Sequence, residues 1–194
     1  FSNQNWGTQV QGTTADFSLI RSWPVESGVF ITDADVRGAA KVCVIGQSVK
    51  RELFADSDPL GSTVRIKDIP FRVVGVMAFK GGTGWGGDQD DTVLIPITAA
   101  QRKLMGITHA NWIVCSAVSE RQVDAAVQQI TELLRVRHRI REANGDDFFI
   151  RTQLEAATTA AETSKVMTLL LASVAAVSLL VGGIGIMNIM LVSV

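Results

Sequence analysis

The chain has 194 residues, a net charge of −1, 47% hydrophobic and 19% charged residues, and two cysteines. That balance excludes a disordered or collagen-like chain and a disulfide-dense secreted scaffold, and it lacks the basic footprint of a nucleic-acid reader. The average conceals two regions: all 18 basic and all 19 acidic residues lie before Val166, and none lies in Val166–Val194.

Through the first 151 residues, short apolar runs alternate with turn chemistry. Lys41–Gly46 (KVCVIG) predicts a buried strand, and Ser48–Phe54 a short helix. Asp58-Pro59-Leu60-Gly61 carries the residues of a type I turn. Thr63–Lys67 alternates as a half-buried strand does, Asp68-Ile69-Pro70 turns the chain, and Phe71–Met77 returns as the partner of a hairpin. Thr92–Ile97 and Asn111–Val118 read as strands, with a helix over Thr98–Met105 between them. Glu120–Ile140 is the clearest soluble helix: Val123, Val127, Ile130 and Leu134 share one face, and Ser119 with Gln122 has the form of a capping box. Asn144-Gly145 predicts a turn and Asp147–Thr152 a further strand. From Leu154 on, no Pro intervenes, so a single helix is expected over 154–194, with 154–165 as a polar stalk.

Val166–Val194 is 29 uncharged residues, whereas a bilayer core of about 30 Å needs about 20 apolar helical residues. A buried core helix is the alternative. Within the segment, Thr168, Ala172, Ala175, Ser178, Gly182, Gly185 and Asn188 recur three or four residues apart and so fall on one helix face. Small residues let helix backbones approach in lipid, and an amide there needs a partner, so this stripe predicts packing against other membrane helices. A single-pass anchor with incidental small residues is the competing reading. Lys165, the nearby flanking charge, weakly favours a cytoplasmic N-terminal part. The unflanked end at Val194 and the absence of a starting Met make a fragment of a longer membrane protein the expectation.

Candidate chemistry is sparse. Gly82-x-Gly84-x-x-Gly87 formally matches a dinucleotide fingerprint, but it runs into a strand rather than opening a helix and lacks the Gly-Lys-Ser/Thr ending of a phosphate loop, so a mobile surface loop is expected. Asp88, Asp90 and Asp91 offer oxygen ligands to a hard cation, without the fixed spacing of a calcium loop; solvated carboxylates are the default. His109 and His138 are isolated. Cys43 and Cys115 each sit in an apolar run and read as small core residues, although a disulfide stays open. Arg135, Arg137, His138, Arg139 and Arg141 crowd a predicted helix end, where cations suit the dipole; contact with lipid phosphates or a partner is the other reading. No catalytic motif and no metal or cofactor site is read from the chain.

Val181–Val194 (VGGIGIMNIMLVSV) resembles the start of the permease core in MacB-type bacterial ABC transporters, a group with FtsX-like permeases. Val42–Gly46, Leu53-Phe54, Asp58–Gly61, Phe71–Val76, Leu133–His138 and Asp147–Phe149 resemble that family's periplasmic domain in the same order, so the likeness covers roughly residues 10–194. The resemblance implies an α+β fold in two parts: a Porter built of split β-α-β units, placed at 1–24 and 107–153, and an inserted β-rich Sabre at 25–106. It also implies a second transmembrane helix at 166–194 after the stalk, with residues 1–165 in the periplasm, which overrules the hint from Lys165. As partners it implies a second permease copy, a fused or separate nucleotide-binding domain, a periplasmic adaptor, an outer-membrane channel and membrane lipid. ATP and magnesium would bind outside this chain, whose own sequence holds no Walker A lysine. Efflux of macrolides, peptides or similar cargo is the implied activity. A lipoprotein-release or cell-division permease is the alternative within the superfamily, and a single-pass anchored binding module the alternative of another class.

Overall fold

A computed structural model describes residues 4–55, 57–82, 87–140 and 145–192. The chain divides into two compact units, Phe1–Ser116 and Ala117–Val194.

The first unit is built on a mixed sheet. Its strands are β1 (Gln9–Thr13), β2 (Val25–Gly28), β3 (Val42–Ile45), β4 (Thr63–Ile66), β5 (Ile69–Met77) and β6 (Thr92–Pro96), in the order β1-β6-β3-β5-β2, with β4 also on β5. β1 runs parallel to β6, and β3 parallel to β5; the β3–β6, β2–β5 and β4–β5 pairs are antiparallel. Helices α1 (Phe17–Ile20), α2 (Asp33–Gly38) and α3 (Gln47–Phe54) and a short α4 (Ile97–Ala99) that runs on as a π-helical turn (Ala100–Met105) fill the connections.

Both faces of the centre are covered, which is why β3 reads as an unbroken apolar run. Cys43 and Ile45 of β3 and Val93 and Ile95 of β6 pack with Val49, Phe54, Phe71 and Val73 in one cluster. Val44 and Leu94, between them in sequence, point into a second cluster with Phe17, Trp23, Ile31 and Met77. On β5 the alternation slips, because the β3–β5 register shifts between Cys43 and Val44; Val76 thus joins the first cluster and Met77 the second.

The hairpin expected from 63–77 is present, but its turn lies one residue earlier than the sequence suggests. Lys67 and Asp68, at φ 46° and 66°, form the two-residue turn, and Ile69 and Pro70 already pair with Ile66 and Arg65. Two positive φ values are the conformation that matches strand twist in a tight hairpin. At the other turn, the Asp58 carboxylate accepts from Leu60 N–H, and Gly61 takes the positive φ of 77°.

The second unit contains a 3₁₀ turn (Glu120–Gln122) leading into α5 (Val123–His138), and then α6 (Gln153–Val192). The expected helix over 120–140 thus starts as 3₁₀, and its Ser119–Gln122 capping box does not form. The Gln122 N–H bonds the Ser119 carbonyl at 3.0 Å, so the Ser119 hydroxyl has no N–H left to accept there. Neither expected strand, Asn111–Val118 nor Asp147–Thr152, exists: no ladder forms along them. Alternating residues supply strand propensity, but a strand is defined by a neighbour that takes its hydrogen bonds. Trp112 and Val118 stand 85% and 95% exposed.

Candidate functional site

The sequence points to the long helix, and the structure shows how it is made. The Thr152 hydroxyl accepts from Glu155 N–H at 3.1 Å while the Glu155 carboxylate accepts from Thr152 N–H at 3.0 Å. This capping box satisfies two N–H groups that a helix start leaves open. The helix then runs unbroken for 40 residues, about 60 Å at 1.5 Å per residue. It is long and apolar enough to cross a membrane, and its apolar window is wholly exposed. The hydroxyls on it turn inward to its own backbone: Thr168 to Ser164, Ser173 to Leu169 and Ser178 to Val174, each at 2.8–2.9 Å. A hydroxyl so satisfied costs little to place in lipid.

All the residues of the expected packing face lie on α6. Ala172, Ala175, Ser178, Gly182 and Asn188 are exposed, and a Cβ added at Gly182 would meet nothing within 4 Å. The surroundings of Gly185 lie outside the described residues.

The basic end of α5 does more than cap a helix. Arg135 grips Asp146 with two bonds, Nε–Oδ1 at 2.7 Å and Nη2–Oδ2 at 2.8 Å. His138 Nδ1 lies 2.8 and 3.0 Å from the two oxygens of Asp147, and its ring meets Phe148 edge-on at 6.1 Å. The hydrogen bonds from Arg135 hold the Asp146 carboxyl below the usual range; burial opposes them, and the guanidinium charge adds to them. Arg139 takes the left-handed C-cap position, with φ 55°. Arg141 and Asn144 lie outside the described residues. The pairing acids, Asp146 and Asp147, were the missed part of this site. A run of cations followed within a few residues by two acids is the signal that was available.

The glycine-rich segment does not open a helix. Gly82 bridges to Asp88, the chain enters β6 rather than a helix, and residues 83–86, Gly84 included, lie outside the described residues. The three aspartates are not uniformly solvated, contrary to expectation. Asp90 is fully buried; its carboxylate accepts from Lys80 N–H at 3.0 Å and Gly81 N–H at 2.7 Å. Asp88 accepts from the Ser48 hydroxyl at 2.5 Å and from Asp90 N–H at 2.9 Å, and Asp91 from Trp6 Nε1 at 2.9 Å. These bonds fasten the loop to α3 and the N-terminal segment and tie its two ends to each other. Lys80 completes the clasp: its ammonium donates to the Arg21 carbonyl at 2.9 Å and lies 5.2 Å from the centre of the Trp23 ring. Burial pushes its pKa down and Arg21 adds to that, with Asp90 opposing. Among the described residues, no three His, Cys, Asp or Glu side chains gather as a metal site.

Cys43 is buried, as expected, and burial pushes its thiol up to about 12. Cys115 is exposed instead of buried, because the segment around it joins no sheet; both thiols are free.

A mixed α+β sheet domain in one unit and, in the next, a helix long and apolar enough to cross a bilayer define the class: a sheet domain followed along the chain by a candidate membrane helix. Residues 1–133 match the MacB-like periplasmic core domain, and the chain belongs to that family. It is similar to the macrolide export ATP-binding/permease protein MacB of Azoarcus sp., with 40% identity over 99% of the chain. It is similar also to the pyoverdine export ATP-binding/permease protein PvdT of Pseudomonas aeruginosa, with 35% identity over the whole chain. The chain spans only 28% and 29% of those two proteins. The crystal structure of the periplasmic region of MacB from Actinobacillus actinomycetemcomitans superposes with a TM-score of 0.61 at 25% identity, covering 78% of this chain and 64% of that one. The chain is thus the periplasmic core domain of a MacB-type ABC transporter permease with one candidate transmembrane helix.

Proposed function

We propose that this chain transmits ATP-driven motion from the membrane to the periplasmic domain of an export permease. The supporting observation is the continuity of α6: one unbroken helix holds both the apolar length that fits a bilayer and the polar length before it. A rigid helix carries displacement along its axis, whereas a break would absorb it. In this reading the permease works as a homodimer in the inner membrane with residues 1–165 in the periplasm. A nucleotide-binding domain outside the chain hydrolyses ATP, and an adaptor and outer-membrane channel receive the cargo. The face of Ala172, Ala175, Ser178, Gly182, Gly185 and Asn188 packs against sister membrane helices. In this reading residues 25–106 form the Sabre-like part and residues 1–24 with 107–153 the Porter-like part.

The test is Gly182→Leu in the full-length transporter, with erythromycin as the export probe. The bulky side chain should sharply reduce export per ATP hydrolysed while the tryptophan fluorescence of the sheet domain stays native. Unchanged export by the variant would remove the packing face from the reading.

A further inference from the structure

The connection between α5 and α6 is the place where such motion would be either delivered or lost. Residues 135 and 138 are three apart, so their side chains leave α5 on one face. The backbone reverses at Arg139, where the Ile140 N–H returns to the Arg135 carbonyl at 3.0 Å. Gly145, at φ 68°, begins the segment that comes back. That segment lays Asp146, Asp147 and Phe148 along the face of Arg135 and His138. Further on, Arg151 covers the Phe149 ring at 5.1 Å, and Thr152 opens the α6 capping box. Asp146, Asp147 and Phe148 are therefore each held against α5 by a specific side-chain contact.

These contacts are poor candidates for a stabilising role. The pairs are largely solvent-exposed, with Arg135 and Asp146 side chains at 52% and 27% and His138 and Asp147 at 41% and 60%. Exposed pairs contribute little free energy, with bidentate arginine–carboxylate pairs toward the upper end of that small range. What a two-bonded guanidinium–carboxylate pair does supply is a fixed orientation, because its planar fork meets both oxygens at once. A lysine would keep the charge and lose the fork.

We propose that Arg135 and His138 are positioning residues that lock the end of α5 onto the segment entering α6, so that displacement of α6 reaches α5 instead of being absorbed between them. The inference rests on the proposed transmitting role. Its test uses the full-length transporter in lipid nanodiscs, with Cys43 and Cys115 replaced and spin labels at Gln128→Cys on α5 and Glu162→Cys on α6. The wild-type pairing should give a narrow distance distribution that shifts with ATP. Arg135→Lys and Arg135→Asp should each broaden it, abolish the ATP-dependent shift and lower erythromycin export per ATP hydrolysed. Arg135→Asp combined with Asp146→Arg should restore the narrow distribution and the shift. A distribution unchanged by the single variants overturns the inference, as does a broadened one with unimpaired export. If the wild type itself shows neither an ATP-dependent shift nor export, the transmitting role falls, whereas the nucleotide-free widths still decide whether the joint exists.

Discussion

The buried carboxylate of Asp90 should anchor the loop between β5 and β6, and Asp90→Asn isolates its charge with little change of shape. In the native structure both oxygens are occupied, by Lys80 N–H at 3.0 and 3.2 Å and by Gly81 N–H at 2.7 Å. An asparagine has one acceptor oxygen, and its amino group would face the other N–H. The charge-assisted bonds become neutral, a loss of about 1 kcal/mol, and a buried donor left without an acceptor adds about 2 kcal/mol. The expected destabilisation is about 3 kcal/mol. For the unit Phe1–Ser116, an unfolding entropy of about 2.1 cal/mol/K per residue converts this to a fall in Tm of about 12 °C. Tryptophan fluorescence during thermal melting of the chain in detergent is the assay. All four tryptophans, Trp6, Trp23, Trp85 and Trp112, lie in that unit, so α6 does not contribute. Solvation of a freed carboxylate is the opposing effect: if burying the charge cost more than its bonds return, Asn would be neutral. A Tm within about 2 °C of wild type would therefore refute the assignment of the loop's anchorage to this carboxylate.

Gly46→Ala should destabilise the same unit by about 3 kcal/mol, read as a lower urea midpoint, because the new Cβ would fall 2.1 Å from the Asp90 carbonyl oxygen, a backbone atom without freedom to retreat. Ellman's reagent should modify Cys115 in the native chain and spare Cys43, whose thiol at about 12 supplies almost no thiolate at pH 8; one equivalent released before denaturation and two after is the expected stoichiometry. The Ser48 hydroxyl, then the Asp90 N–H, depress the Asp88 carboxyl below its ordinary 3.8. A depressed carboxyl stabilises the fold above its unfolded value and loses that contribution as pH falls through the folded one, so the brace should weaken only below about pH 4. Ser48→Ala should raise the Asp88 midpoint in a carboxyl-carbon NMR titration.

Much of the sheet domain was legible because local and global preferences agree there. β3, α3, the β4–β5 hairpin and β6 lie where apolar runs and turn residues put them, and α6 where an uncharged run continues a proline-free one. The failures share a cause in partners that sequence does not name. Asn111–Val118 has strand composition, yet composition provides no neighbour to bond with, and without a covering layer Cys115 and Trp112 stay exposed. The hairpin turn was misplaced by one residue because Pro70 draws attention as a turn residue, although a proline also fits an edge position whose N–H is not needed. β1 and β2 went unread because each is short and only half-buried on a sheet edge, so their patterns are weak.

The candidate sites follow the same division. Asp90 stands in a glycine-rich run with two other aspartates, a context that reads as solvated. Its burial is decided by the approach of Gly46 and by the amides of Lys80 and Gly81, none of which is implied by neighbouring sequence. The α5–α6 joint was half legible. The cations stood out, and helix-dipole complementarity explained them without Asp146 and Asp147. What brings the acids onto Arg135 and His138 is a reversal beginning at a non-glycine residue in the left-handed region, Arg139. An arginine does not announce that conformation; the helix end imposes it, through the bond from Ile140 N–H to the Arg135 carbonyl. Once the chain is turned there, a cluster that sequence assigns to one helix becomes the contact between α5 and the segment that leads to α6.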